Sequence, residues 1–316
     1  TTAQVHMFMP SSYISYKLAS ALRTVGSMVQ DRQPAILIDP TRPAPMVPIS
    51  VGVENAITGR REKYNYSVIR EEGLTPMLMF VGLMESLDVS EAGPMGDRTY
   101  DIRSRIGLSG RAAPFELSDV TPSPYSTLFD ILMLLDNGIE EAIPTNVEFD
   151  VKVTNASRVA WIQDARTGGR RYRAGSAVPI TVRLRNQKSE EITLTATYTL
   201  PKNLQGRVAD LEIRGGFGFA QPDAPPKTLE QMLRLMAKRP KGTDLLVRVL
   251  QPTFASAQDG VALPDLPSFY QRIVQGGVRG GGQAIAQMPY QTQPSDWVIL
   301  GSQRIQVEIE TEGRVR

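Results

Sequence analysis

The chain has no cysteine and one histidine in 316 residues. Without thiols there is no disulfide, no thiolate metal site and no cysteine nucleophile. The single histidine, His6, excludes a multi-histidine metal site and is the sole candidate for a histidine base. It sits beside Met7 and Phe8 in an alternating run, with no serine-centred motif accompanying it, so it reads as a strand residue. An excess of charge of one sign is also lacking: 35 Lys and Arg against 33 Asp and Glu leave a net +2. That balance supplies no electrostatic reason for a nucleic-acid partner. No apolar run approaches the roughly 20 residues that span a bilayer. A signal-peptide pattern is missing too, and the chain opens at Thr1, so a processed or truncated form of something longer is expected.

What is present is alternation. Between Asn146 and Gly215, apolar residues recur at every second position. They are Val147, Phe149, Val151 and Val153; then Val178, Ile180, Val182 and Leu184; then Ile192, Leu194, Ala196, Tyr198 and Leu200; then Leu211 and Ile213. Polar residues fill the gaps, which is the pattern of half-buried antiparallel strands. Turn-forming breaks at 167–169, 186–189 and 201–206 separate the runs. An Ig-like antiparallel β-sandwich over residues 141–220 is the economical reading.

Upstream, residues 1–140 read as a β-rich region with two helices. Ala35 to Ile38 predicts a buried strand, and the proline-bearing stretch 39–48 an irregular connector. Thr75-Pro76 and Ser123-Pro124 each pair a cap residue with a helix-starting proline. The first helix places Met77, Phe80, Val81 and Met84 at helical spacing. The second is apolar nearly all round and predicts packing on more than one side. Downstream, residues 221–316 read as a helix-strand cap: Thr228 caps Leu229 to Lys238, Pro240 stops it, and a Gly-rich loop follows Gly276. The fold class is mainly β, a β-rich α+β arrangement.

Candidate chemistry is thin. Gln30-Asp31-Arg32 closes a strand and reads as a local turn pin. The glycines at 215–218 and 276–282 lack the strand-Gly-helix context and the Lys-Ser/Thr ending of a phosphate loop. Arg166, Arg170, Arg171 and Arg173 cluster at a hairpin tip, as a solvated turn or an anionic docking patch. Sequence-adjacent acids such as Glu190-Glu191 face opposite ways in a strand and make poor acid/base dyads. No catalytic residue, metal ligand or cofactor site is expected.

One resemblance stands out. Thr1-Thr2-Ala3, Pro10-Ser11-Ser12, Ser15-Tyr16-Lys17-Leu18, Val25-Gly26 and Gln30-Asp31-Arg32 resemble the run TTA…PS…SFKL…GTxxQDR of SpoIVB-like serine peptidase proteins, which are exported bacterial proteins. Met46-Val47-Pro48 is similar to their MIPV strand, and Ala174 to Arg185 to PGxxVxVxVxLR. Thr228-Leu229-Glu230-Gln231 with Lys238-Arg239-Pro240 is similar to SLEQLL…RP, Leu263 to Ser268 to LPxLPxS, and Val298 to Ser302 to VVxGS. The family's serine and histidine motifs, Ser-Gly-Ser-Pro and Gly-His-Pro, do not occur in this chain, so no catalytic residue carries over. The resemblance implies an exported, non-catalytic region that follows a peptidase core, with residues 1–140 packing on that core. Its partners would be the N-terminal part of the same precursor or other chains of an assembly. Val5, Met7 and Met9, as an N-terminal strand needing an outside neighbour, and the four arginines are the expected contacts. Two alternatives stand beside it. One is an active serine peptidase completed by an N-terminal segment absent from this chain. The other is a carbohydrate-binding sandwich using Trp161 and Tyr172.

Overall fold

A computed structural model describes residues 2–10, 15–23, 26–71, 73–90, 98–154, 156–202, 204, 207–218, 226–250, 253–258, 261–263, 283–287 and 290–310. Its strands and helices run in the following order. Two hairpins come first: β1 (Thr2–Pro10) with β2 (Ser15–Arg23), and β3 (Ser27–Arg32) with β4 (Ala35–Asp39). Next are β5 (Met46–Asn55), β6 (Arg61–Ile69), α1 (Leu74–Val89), β7 (Thr99–Leu108), β8 (Phe115–Thr121), α2 (Tyr125–Leu135) and β9 (Pro144–Thr154). Then follow β10 (Val159–Thr167), β11 (Arg171–Arg173), β12 (Ala177–Asn186), β13 (Glu191–Thr199), β14 (Val208–Gly215), α3 (Leu229–Ala237) and β15 (Asp244–Val249). The chain closes with β16 (Thr253–Gln258), β17 (Val261–Leu263), β18 (Gln283–Gln287), β19 (Tyr290–Pro294), β20 (Val298–Leu300) and β21 (Ser302–Glu310). The fold is mainly β, as the alternation predicts.

Two cores organise the elements from β5 to β15 together with β19, β20 and β21, while β1-β2, β3-β4 and β17-β16-β18 form separate small sheets. In the first core, five strands lie in the order β6-β5-β9-β7-β8, with β5 and β9 parallel. Their inward residues, among them Val51, Val53, Ile102, Phe149 and Val151, pack with Met79, Leu83 and Leu87 of α1 and Ile131 and Leu134 of α2. The opposite face is solvated and carries a ladder of charge: Arg105 bridges Glu148 and Asp150 at 3.1 and 2.9 Å, and Lys152 lies 3.6 Å from Glu54. In the second core, the sheet β13-β12-β10-β20 faces the sheet β11-β21-β14-β15-β19. Strand β12 alternates without a fault: Val178, Ile180, Val182 and Leu184 are buried and their neighbours exposed.

The expected boundaries shift. Val147 to Val153 do bury their apolar face, but they form the centre of the first sheet between β5 and β7, not a strand of the sandwich. Alternation specifies a face and is silent on the neighbouring strand. Residues 221–316 are not a separate cap either. Met232, Leu233 and Met236 of α3 enter the first core, while β15, β19, β20 and β21 complete the second. Within residues 141–220 the sandwich pairings β10-β12 and β12-β13 are antiparallel, as expected, while β10 with β20 and β11 with β21 add parallel pairings to strands beyond residue 220.

The helix starts partly agree. Thr228 caps α3, its Oγ1 accepting from the Gln231 N–H at 3.2 Å. Thr75 does not cap α1. Gly73 precedes the helix at φ +83°, and Thr75 lies in the first turn, its Oγ1 accepting from the Glu71 N–H at 2.7 Å. The expected helical faces are corrected too: Met77 and Val81 point to solvent, and α2 exposes Phe129 and Met133. Ala35 to Ile38 is a strand, but an exposed one. Among the described residues β3 is its one strand neighbour, and Ile36, Leu37 and Ile38 are exposed.

Candidate functional site

A cluster of polar side chains lies where the link between the two cores meets β8 and α2. A cleft of about 240 Å³ opens between β7, β8, α2 and the segment that leaves α3. Asp119 lies on β8, and its Oδ1 accepts from its neighbour's N–H, Val120, at 2.8 Å and from the Gly242 N–H at 2.7 Å. Asp130 sits on the inner side of α2, where Oδ1 accepts from Arg239 Nη2 at 2.5 Å. Burial pushes both carboxyls above the usual carboxylate range, against the pull of their hydrogen bonds and of Arg239.

Each of these groups already has a structural task. Arg239 and Gly242 belong to the short link from α3, packed in the first core, to β15, in the second. Asp130 grips one end of that link and Asp119 the other. Gly242 also accepts at its carbonyl from the Ile299 N–H of β20 at 3.0 Å. A Cβ on Gly242 would stand 2.4 Å from the Val120 carbonyl oxygen, so only glycine lets the link lie this close to β8. An Arg111–Glu230 ion pair ties the same helix to the β7–β8 turn. The cleft is therefore a polar clasp between cores. Ser104, Ser118 and Thr127 line it. Among the described residues no group of three or more His, Cys, Asp or Glu side chains could hold a metal.

The residues singled out from sequence lie elsewhere. Val5, Met7 and Met9, with His6, fall on β1, whose backbone pairs with β2 of the same chain; their side chains lie outside the described part of the structure. The expected outside neighbour for this strand is thus supplied internally on one edge. The Gly-rich run 276–282 lies outside the described residues. The four arginines do gather near one end of the sandwich, but three of them are neutralised. Arg166 pairs with Asp164 at 2.8 Å, Arg171 with Glu308 at 2.5 Å and Arg173 with Glu310 at 3.0 Å. Hydrogen bonding from Arg183 and the nearby Arg166 hold the Asp164 carboxyl below its usual range. Trp161 lies on β10 and Tyr172 on β11, in different sheets, and the Tyr172 hydroxyl accepts from the Gly169 N–H at 2.7 Å. They do not form one aromatic platform.

Sequence reasoning missed Asp119, Asp130 and Arg239. For Asp130 a signal existed: it is the one charge inside the apolar run Leu128 to Leu135. For Arg239 the signal was the Lys-Arg-Pro ending of α3, which the ion pair now explains. Asp119 carries no local mark. Comparison of the chain with protein-family models, with curated proteins and with solved structures finds no match. Among the described residues no helix is long and apolar enough to cross a membrane.

Proposed function

We propose that this chain is a non-catalytic, protein-binding portion of a larger exported protein of the SpoIVB-like peptidase kind, and that it joins its neighbour through the β3–β4 hairpin. One observation carries the reading. Ile36 and Leu37 are adjacent in β4 and so point to opposite faces, yet they are 59% and 57% exposed. Met28 of β3 and Ile38 of β4 are exposed as well. A two-stranded ribbon with apolar residues exposed on both faces is marginal by itself, and among the described residues no further strand pairs with its outer edges, where one can be added. The resemblance supports the same direction, because in SpoIVB-like proteins this run continues from the histidine-bearing segment. The partner is then the N-terminal part of the same precursor, which would also complete a serine peptidase if its catalytic motifs are intact.

Hydrogen exchange tests this on two samples. In recombinant 1–316 the amides of Ser27–Arg32 and Ala35–Asp39 should exchange quickly, and in native material, bound to the precursor's remaining part, slowly. Peptide mapping of that material should find a Ser-Gly-Ser-Pro-bearing segment. Slow exchange of both strands in a recombinant monomer would remove the need for a neighbour.

A further inference from the structure

A second surface, independent of the hairpins, is left uncovered by the first core. Helices α1 and α2 pack against each other, with the Phe80 and Tyr125 rings 5.2 Å apart. Their inner faces supply Met79, Leu83, Leu87, Ile131 and Leu134 to the core. Their outer faces are apolar again. On α1, Leu74, Met77, Leu78 and Val81 are exposed at positions i, i+3, i+4 and i+7; on α2, Tyr125, Phe129 and Met133 are exposed at i, i+4 and i+8. Phe129 is 66% exposed and Val81 48%. Single exposed apolar residues are ordinary, but two adjoining stripes at helical spacing are the mark of an interaction face.

The charge around the face selects the partner. Neither helix contains a lysine or an arginine. The charged residues on their exposed sides are Glu85 and Asp88, with Glu71 and Asp136 at the helix ends, all exposed. Arg70, at the end of the approach from β6, is the nearest cation in sequence. Asp130, the one acid within α2, turns inward to Arg239. An anionic membrane surface would be repelled by these carboxylates. A two-fold contact with a second copy would bring each acidic set toward its own image. A protein helix with an apolar stripe and Lys or Arg on its flanks meets neither penalty.

We propose that the seam between α1 and α2 receives an amphipathic helix with basic flanks from a partner protein. The stripe of that helix lies over Val81 and Phe129, and its cations face Glu85 and Asp88. This is the helix-in-groove mode, in which the apolar anchors supply affinity and the flanking charges select the partner.

The test uses two synthetic helical peptides with the same leucine stripe, one flanked by lysines and the other by glutamates. The chain is recombinant 1–316 and the readout is fluorescence anisotropy. The lysine peptide should bind at least about tenfold more tightly than the glutamate peptide, and the gap should shrink with salt. Phe129→Gln with Val81→Gln should weaken it by about tenfold or more, as loss of central anchors does. Both positions are exposed, so unchanged thermal melting should show that the fold is kept. Glu85→Lys with Asp88→Lys should reverse the peptide preference. Equal binding of both peptides, no binding of either, or preferential binding to phosphatidylglycerol vesicles would overturn the proposal. So would a dimer, seen by sedimentation, that Phe129→Gln abolishes.

Discussion

Val151 and Lys152 are neighbours on β9, and they separate the two faces of the first sheet. Val151 is 2% exposed and stands in register between Val53 of β5 and Ile102 of β7, both buried. Val151→Asp removes a buried aliphatic side chain worth about 1.5–3 kcal/mol. It also puts a carboxylate where no cation is in register, and an unpaired buried charge costs several kcal/mol more. The sum is comparable with the whole stability of a domain, about 5–15 kcal/mol. Lys152 lies in register with Glu54 and Asp101 on the solvated face. Lys152→Asp would line up three carboxylates, and each like-charge neighbour costs a few tenths to about 1 kcal/mol across strands. Lys152→Gln should be nearly neutral. Urea unfolding followed by circular dichroism ranks the three, and hydrogen exchange locates the damage. In the Val151→Asp chain the amides of Val47–Val53 should lose protection while those of Val178–Leu184 in the second core keep more of theirs. Equal midpoints for Val151→Asp and Lys152→Gln, or damage confined to β12, would refute both the facing of β9 and its membership of the first sheet.

Two further outcomes follow from the clasp and from the corner of the sandwich. Asp119→Asn keeps the Oδ1 acceptor for the Gly242 N–H and removes a carboxylate whose burial is unfavourable. The raised folded-state pKa means that the native chain takes up this proton at higher pH than the unfolded chain, so the group costs stability at neutral pH and the cost fades as pH falls through the raised pKa toward the ordinary value. Asp119→Asn should therefore match or exceed the parent at pH 7 and lose that advantage at low pH, whereas Asp119→Ala, leaving two N–H groups without their acceptor, should lose about 1–3 kcal/mol; equal losses for Asn and Ala at pH 7 would count against the clasp. Gly215→Ala would place a Cβ 1.7 Å from the Ile299 carbonyl oxygen, between two backbones that cannot yield, and should cost about 1–3 kcal/mol or more, while Gly169→Ala, 3.4 Å from the Tyr172 hydroxyl, should melt within about 0.5 kcal/mol of the parent.

The sequence and the structure agree where a signal is local. The alternation of β12, the Thr228 cap and the stop at Pro240 each act within a few residues, and each is where it was expected. Disagreement begins where the deciding contact is distant. Val147 to Val153 and Val178 to Leu184 alternate alike, and only the pairing of β9 with β5 and β7 assigns the first run to another sheet. The parallel pairing of Arg171 with Glu308 joins residues 137 positions apart, beyond any local periodicity. The Asp119–Gly242 contact is of the same kind: a hydrogen bond across 123 positions that neither partner's surroundings announce.

Helices α1 and α2 make the limit physical. A helix with one apolar stripe tells the reader which side is buried, because only one side can be. A helix apolar all round has no such preference: Met77 and Val81, picked out by their helical spacing, face water while Met79 and Leu83 are buried in the first core. The sheet can cover one side of each helix and no more. Residue by residue, then, such a run does not reveal its buried face. It does reveal that two faces require cover. The structure accounts for one of them, and the remaining face, bordered by Glu85 and Asp88, is where a partner with the opposite charge gains most by binding.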